Sequence, residues 1–87
     1  SRAEVPIIGE VDGKIVSAKI DRLIINKDKV TIVDFKTNRP AAKSLNDVPE
    51  IYINQLNTYK KLLQKIYPDK DVETYLLWTN TCNMMKV

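Results

Sequence analysis

The segment VTIVDFKT, at residues 30–37, is the part of the sequence around which the rest of the chain can be arranged. β-Branched residues and a phenylalanine dominate it, which is typical of a β-strand. Side chains alternate between the two faces of a strand, so Asp34 and Lys36 share one face. A carboxylate and an ammonium at the end of a buried strand cost desolvation energy unless each is compensated. Two interpretations follow: a simple ion pair, or a site that uses both charges.

A second carboxylate comes from the strand-like segment at residues 14–26, which a short polar turn joins to the first segment. If Lys27 and Asp28 form a two-residue hairpin loop, counting outward puts Asp21 directly opposite Asp34, with Cβ atoms about 5 Å apart. Like charges opposite each other destabilise a sheet. A divalent cation between them would remove this repulsion, and carboxylate oxygens suit magnesium.

The same counting extends the row of acids by one strand. Asp12-Gly13 is a strong hairpin signal, and residues 3–9 before it form a predicted first strand, with a proline that favours a sheet edge. With Asp12-Gly13 as the loop, Glu4 faces Asp21, so that Glu4, Asp21 and Asp34 form a predicted row. Glu4 is then either a secondary metal-site or DNA-site residue or a solvent-facing strand carboxylate. The alternative for the whole row is a solvated face with mixed charges.

The second half of the chain predicts a helix and another strand. Pro49 suits a first helical turn, and Pro68 ends the helix after about Tyr67. Residues 72–79 have an apolar centre, and a strand–helix–strand order predicts that this strand runs parallel to one partner. The predicted fold is therefore α/β: a three-stranded antiparallel meander, a helix and a further strand, with residues 80–87 adding an extended piece. The apolar stripe predicted for the helix is Tyr52, Leu56, Tyr59, Leu63 and Ile66.

Length and composition limit the size of the fold and the classes of function that the chain can have. Eighty-seven residues allow one small domain, which buries a modest share of its surface. The net charge of +3 suits a phosphate-rich partner without being diagnostic of one. The single cysteine rules out an intrachain disulfide and a zinc framework. No apolar run approaches the roughly 20 residues of a membrane span, and we expect a cytoplasmic protein.

Three ordered motifs resemble the RecB-like nucleases of the PD-(D/E)XK superfamily. These nucleases carry an aspartate on one strand, D-x-K on the next and Q-x-x-x-Y on the following helix, which match KIDRL at 19–23, VDFKT at 33–37 and QLNTY at 55–59. With AEVPI at 3–7, DFKTNRP at 34–40 and LLWT at 76–79, the chain resembles more closely the C-terminal nuclease domain of AddA-type helicase-nucleases. The resemblance covers almost the whole chain. It implies a restriction-endonuclease-like core and one partial nuclease domain over residues 1–87.

The resemblance also implies an activity and a set of site residues. The activity is Mg²⁺-dependent exonuclease cleavage of DNA in double-strand-break repair and recombination, with Mn²⁺ as a possible substitute. The implied catalytic residues are Asp21, Asp34 and Lys36, with Asp21, Asp34 and the Phe35 backbone carbonyl as metal ligands. Gln55 and Tyr59 would position DNA; Thr37, Asn38 and Arg39, in the loop after the strand, are candidates for phosphate contacts.

One departure from the family pattern concerns the metal ligands. RecB-like nucleases usually carry a histidine ligand on a helix upstream of the first strand, whereas this chain contains no histidine. We expect that helix to lie outside the chain, so activity is expected of a parent protein and not necessarily of this piece. In that parent, ATP would serve the helicase part alone, helicase domains would deliver single-stranded DNA, and the partner would be of the AddB type.

Other functions remain open on the sequence. The fold is also compatible with a non-catalytic module that binds DNA or docks another protein of the complex, in which the acids are structural; divalent-metal binding discriminates between the two. A small β-rich adaptor without a nucleic-acid role leaves the pairing of Asp21 with Asp34 unexplained. For Tyr59 the alternative is core packing, and for Thr37, Asn38 and Arg39 it is an ordinary solvated loop.

Overall fold

The structure, a computed structural model, describes residues 2–37, 45–79 and 82–87 of the chain. Its strands are β1 (Arg2–Val11), β2 (Lys14–Ile25), β3 (Lys29–Lys36), β4 (Asp71–Trp78) and β5 (Asn83–Lys86), and its helix α1 spans Glu50–Ile66 after a short 3₁₀ turn at Leu45–Asp47. Most predicted boundaries differ from these by one or two residues. The predicted extended piece at the end of the chain is confirmed as β5.

The five strands form one sheet in the order β1-β2-β3-β4-β5. β1, β2 and β3 are an antiparallel meander, β4 runs parallel to β3, and β5 is antiparallel to β4. A parallel neighbour needs a crossover connection, and α1 lies in the one between β3 and β4. The predicted α/β fold and its parallel strand are therefore confirmed. β1 lies at a sheet edge, where its proline was predicted to place it.

Two short turns set the register of the meander. Asp12 and Gly13 both have positive φ, at 52° and 80°, as a type I′ hairpin loop requires. Val11 pairs with Lys14 across this loop. At the second turn the Asn26 N–H donates to the Lys29 carbonyl at 2.8 Å, and the ladder continues as far as the pair Arg22–Val33. Both predicted registers are confirmed by these pairs.

The ladder between β1 and β2 is interrupted beside Asp21. Pairs form on both sides of Glu4 and Asp21, but these two residues are not paired, and Glu4 has a φ of 50°. Ile20 and Leu23 would lie on opposite faces of a regular strand, yet both are buried in the same core cluster. The alternation of β2 therefore shifts by one residue next to Asp21.

The core lies between the sheet and α1. Leu56 and Leu63 are buried as predicted, and Tyr52 and Tyr59 pack against the core. The prediction for Ile66 is wrong, because its side chain is 48% exposed; Tyr67, just past the helix end, packs against the core. Leu62, which the predicted stripe omitted, is also buried. It occupies the space above Gly9, where a Cβ would overlap its side chain.

No helix in the part of the chain that the structure describes combines the length and the apolar character that a bilayer crossing demands.

Candidate active site

The carboxylate of Asp34 and the ammonium of Lys36 meet at the end of β3. Lys36 Nζ lies 2.8 Å from Asp34 Oδ2, and the two side chains are 16% and 13% exposed, respectively. The Lys36 ammonium is thus the close partner of Oδ2, which is buried and accepts no further hydrogen bond from the described residues. The predicted ion pair is present, and the ammonium of Lys36 supplies the charge that offsets this buried carboxylate oxygen.

Asp21 reaches the same place from β2. The backbone N–H of Phe35 donates to Asp21 Oδ2 at 2.9 Å. The β2–β3 ladder stops at the pair Arg22–Val33, one position before Asp21 and Asp34 would face each other. A side-chain hydrogen bond thus joins the two strands just past the end of the ladder and brings the Asp21 carboxylate to the peptide bond between Asp34 and Phe35.

The electrostatics of the cluster follow from its burial and from the short distances between these groups. Burial raises the pKa of Asp34 above its ordinary value of 3.8, and the hydrogen bond and charge of Lys36 oppose this rise. The Asp21 carboxyl raises the same pKa further, both through a side-chain hydrogen bond and through its charge. A carboxylate whose charged form is this unfavourable gains from a neighbouring cation.

The helix contributes three side chains to this cluster. Burial raises the pKa of Tyr59, the charge of Asp34 adds to the rise, and a hydrogen bond with the Gln55 side chain lowers the pKa. Tyr52 places its ring 3.9 Å from Lys36 Nζ. The structure therefore places Tyr59 close to the carboxylates, with Gln55 hydrogen-bonded to it. Sequence reasoning assigned Tyr52 to the core and missed this contact, although Tyr52, Gln55 and Tyr59 share a helix face.

Glu4 does not join the cluster in the predicted way. The ladder pair with Asp21, on which the predicted row of three acids depended, is absent. The Glu4 carboxylate instead pairs with Lys19 Nζ at 3.0 Å, in solvent, with exposures of 66% and 71%. A backbone with positive φ redirects a side chain, which is why counting pairs along the strands failed at this position.

The segment after β3 is described only at its first residue. Thr37 is exposed and follows the strand directly, whereas Asn38 and Arg39 lie outside the described residues. Their predicted phosphate contacts stay predictions. Thr79, which sequence reasoning did not assign to the site, donates to the Lys36 carbonyl from its N–H at 2.9 Å and its hydroxyl at 3.3 Å. The end of β3, which carries Asp34 and Lys36, is therefore held by the residue that follows β4.

The cluster is suited to a divalent cation held by few protein ligands. Within the ranges that the structure describes, no three His, Cys, Asp or Glu side chains come together as a metal site. Asp21 and Asp34 form a pair, and besides the Lys36 ammonium the buried Oδ2 of Asp34 has no hydrogen-bond donor among the described residues. Magnesium commonly binds through one or two carboxylates and keeps several waters. These two residues fit such an ion; the Phe35 carbonyl remains a predicted ligand.

Comparison with known proteins agrees with this geometry. The sequence profile of the PD-(D/E)XK nuclease superfamily matches residues 2–84. The chain is 36% identical over 66 residues, 76% of its length, to an ATP-dependent helicase/nuclease protein of Carboxydothermus hydrogenoformans. It is 31% identical over 64 residues, 72% of its length, to the exonuclease/helicase protein RexA of Lactococcus lactis. It spans 6% and 5% of these two relatives. The chain belongs to the PD-(D/E)XK nuclease superfamily.

Proposed function

We propose that the chain is the nuclease domain of a longer AddAB-type helicase-nuclease and that it hydrolyses DNA phosphodiester bonds with a divalent cation. Mg²⁺ is the proposed ion and Mn²⁺ a substitute. The observation that carries the proposal is the convergence of Asp21, Asp34 and Lys36, in which a buried Asp34 carboxylate lies close to both a second carboxylate and an ammonium. Relatives whose names describe ATP-dependent helicase/nuclease proteins support the domain context.

Asp21 and Asp34 are the proposed protein ligands, together with the backbone carbonyl of Phe35. A bound cation supplies a water of lowered pKa and offsets charge on the phosphate. Burial disfavours the charged form of the Asp34 carboxylate, and a bound cation would stabilise that form. The Asp21 carboxylate is oriented by the Phe35 N–H, which uses one of its lone-pair sites.

Hydrolysis requires one bond to form and one to break. The oxygen of water bonds to phosphorus, the bond from phosphorus to a sugar oxygen breaks, and that oxygen takes up a proton. Lys36 is the proposed group that orients the water or stabilises the charge that accumulates on the phosphate oxygens, acting as a point charge. Its low exposure strengthens this interaction, because little water competes for the ammonium.

The helix residues are proposed to position the DNA strand. Tyr59 has a raised pKa and therefore keeps its proton, so its hydroxyl can donate a hydrogen bond to a phosphate oxygen. Gln55, beside it, offers an amide donor. Thr37, Asn38 and Arg39 are proposed phosphate contacts, which need donors and positive charge but no sequence readout.

The wider setting is part of the same proposal. The parent protein would act as an exonuclease in double-strand-break repair and recombination, in the cytoplasm. Its ATP-driven helicase domains would deliver a single DNA strand, and an AddB-type partner protein would complete the complex. The competing proposal is a non-catalytic module that binds DNA or docks such a partner through the same fold.

The test is cleavage of end-labelled single-stranded DNA by the full-length protein that contains this chain. We expect cleavage with Mg²⁺ or Mn²⁺, none with a chelator, and loss of at least about 10²-fold in rate for Asp34→Asn. Asp28→Asn is the matched control, because Asp28 lies in the turn at the far end of the same hairpin, and it should cleave like the wild type. Unchanged rates for Asp34→Asn would contradict the assignment. DNA binding without cleavage by the wild type would favour the non-catalytic module.

A further inference from the structure

The ammonium of Lys36 has two neighbours of different chemical character. One is Asp34 Oδ2 at 2.8 Å, and the other is the Tyr52 ring, whose centroid lies 3.9 Å away. A cation within about 6 Å of an aromatic face is attracted by the ring quadrupole, and more strongly when both groups are desolvated. Lys36 is 16% exposed and Tyr52 packs against the core, so this contact has little competition from water.

The two contacts respond differently to a bound cation. Under the proposed function, the charge of Asp34 is shared with the metal ion, which weakens its hold on Lys36. The Tyr52 ring is not a metal ligand, so its contact with the ammonium persists. Lysine carries its charge on a flexible four-carbon stem and needs a second contact to keep one position. The contact with the Tyr52 ring is therefore the one that Lys36 keeps when the site holds the cation.

The ring position is set by the helix and not by Lys36. Tyr52 lies in the first turn of α1, and its N–H donates to the Pro49 carbonyl at 3.0 Å. Tyr52, Gln55 and Tyr59 follow one another at spacings of three and four, so they lie along one face of α1. Tyr59 lies close enough to Asp34 to feel its charge, and Gln55 hydrogen-bonds Tyr59. Tyr52 lies against the Lys36 ammonium.

We propose that Tyr52 is a positioning residue whose ring face holds the Lys36 ammonium in place when Asp34 binds the catalytic cation. This inference rests on the proposed nuclease function and adds a residue to it. Tyr52 acts through Lys36 and not on the substrate. Weakening the ring quadrupole should therefore lower kcat while the KM for DNA stays constant.

The test is a series of phenylalanines at position 52 that carry zero to three ring fluorines, in the full-length protein. Fluorine draws electron density from the ring and weakens its attraction for a cation while barely changing its size. We expect log kcat to fall step by step, by about 3- to 30-fold over the series, with KM constant within about twofold. A ring that serves only packing would leave kcat flat across the series, and that result would overturn the inference.

Tyr67 provides the matched control. It packs against the same core at the other end of α1, far along the helix from Lys36, and the same fluorinated series there should leave kcat unchanged. A parallel decline at both positions would also overturn the inference. Failure of the proposed function is a separate result: Asp34→Asn would then cleave like the wild type, or the wild type would not cleave at all.

Discussion

The backbone N–H of Phe35 donates a 2.9 Å hydrogen bond to Oδ2 of Asp21. This bond stands where the β2–β3 ladder ends, since Arg22–Val33 is the last pair of that ladder. A side chain therefore joins the two strands at the site where both of them present a carboxylate. The bond has a structural and an electrostatic component, which can be separated by substitution.

Asp21→Asn and Asp21→Ala separate the two components. The asparagine oxygen can still accept from Phe35 but carries no charge, whereas alanine loses both the acceptor and the charge. We expect Asp21→Ala to lower the free energy of unfolding by about 1–2 kcal/mol and Asp21→Asn to change it by less than about 0.5 kcal/mol, in urea titrations. Both should lose metal-dependent cleavage. Equal stabilities of the two variants would show that the hydrogen bond contributes nothing.

Lys36→Ala tests the role of the ammonium. The side chain is nearly buried and contacts Asp34, so its removal takes away the cation that lies against the proposed metal ligand. We expect cleavage to fall by about 10²- to 10³-fold in a single-turnover assay. Lys29→Ala is the control, because Lys29 begins the same strand and forms an exposed pair with Glu73. Wild-type rates for Lys36→Ala would contradict the assignment.

The raised pKa of Asp34 predicts that the stability of the protein changes with pH. Burial raises its pKa above the ordinary 3.8, with Lys36 opposing, so the folded protein holds this proton at pH values where the unfolded chain has released it. The folded state then binds more protons, and the free energy of unfolding falls as pH rises from about 3.8 through the raised pKa. Asp34→Asn should not show this fall in the free energy of unfolding, because asparagine does not titrate.

Urea titrations of both proteins across this range provide the measurement. The stability of Asp34→Asn relative to the wild type should rise with pH inside the window and become constant above it. If the wild type instead gained stability over Asp34→Asn as the pH rose, the pKa of Asp34 would be lowered by folding, and the prediction would be wrong.

Gly9→Ala tests how closely α1 packs against β1. A Cβ at this position would overlap the Leu62 side chain, which is buried. We expect a loss of about 1–3 kcal/mol in the free energy of unfolding, measured by urea titration. The same change in a Leu62→Ala background should cost less, because the overlapping atoms are gone. Equal costs in the two backgrounds would show that the glycine matters for its backbone and not for this contact.

Much of the fold followed from local signals. The Asp12-Gly13 loop has positive φ at both residues, and the predicted register of the first hairpin follows from it. The second hairpin also has its predicted register, and its turn is closed by the Asn26–Lys29 hydrogen bond. Pro49 and Pro68 bracket the helix because proline suits its first turn and cannot continue its last. The helix lies in the connection between β3 and β4 and carries the chain back to the end of the sheet where β3 began. β4 therefore runs parallel to β3. Local geometry also put Asp21 next to Asp34, since both lie near the open end of one hairpin.

Other features depended on how the elements pack. The sequence by itself determined the hairpin registers, the helix and the acidic pair with its lysine, because short-range sterics and side-chain alternation act within a few residues. Only the tertiary structure decided that Glu4 turns away to Lys19, that Leu62 and not Ile66 is buried, and that Tyr52 covers Lys36. Each of these depends on a backbone irregularity or on the placement of α1 across distant strands, which periodicity along the chain does not encode.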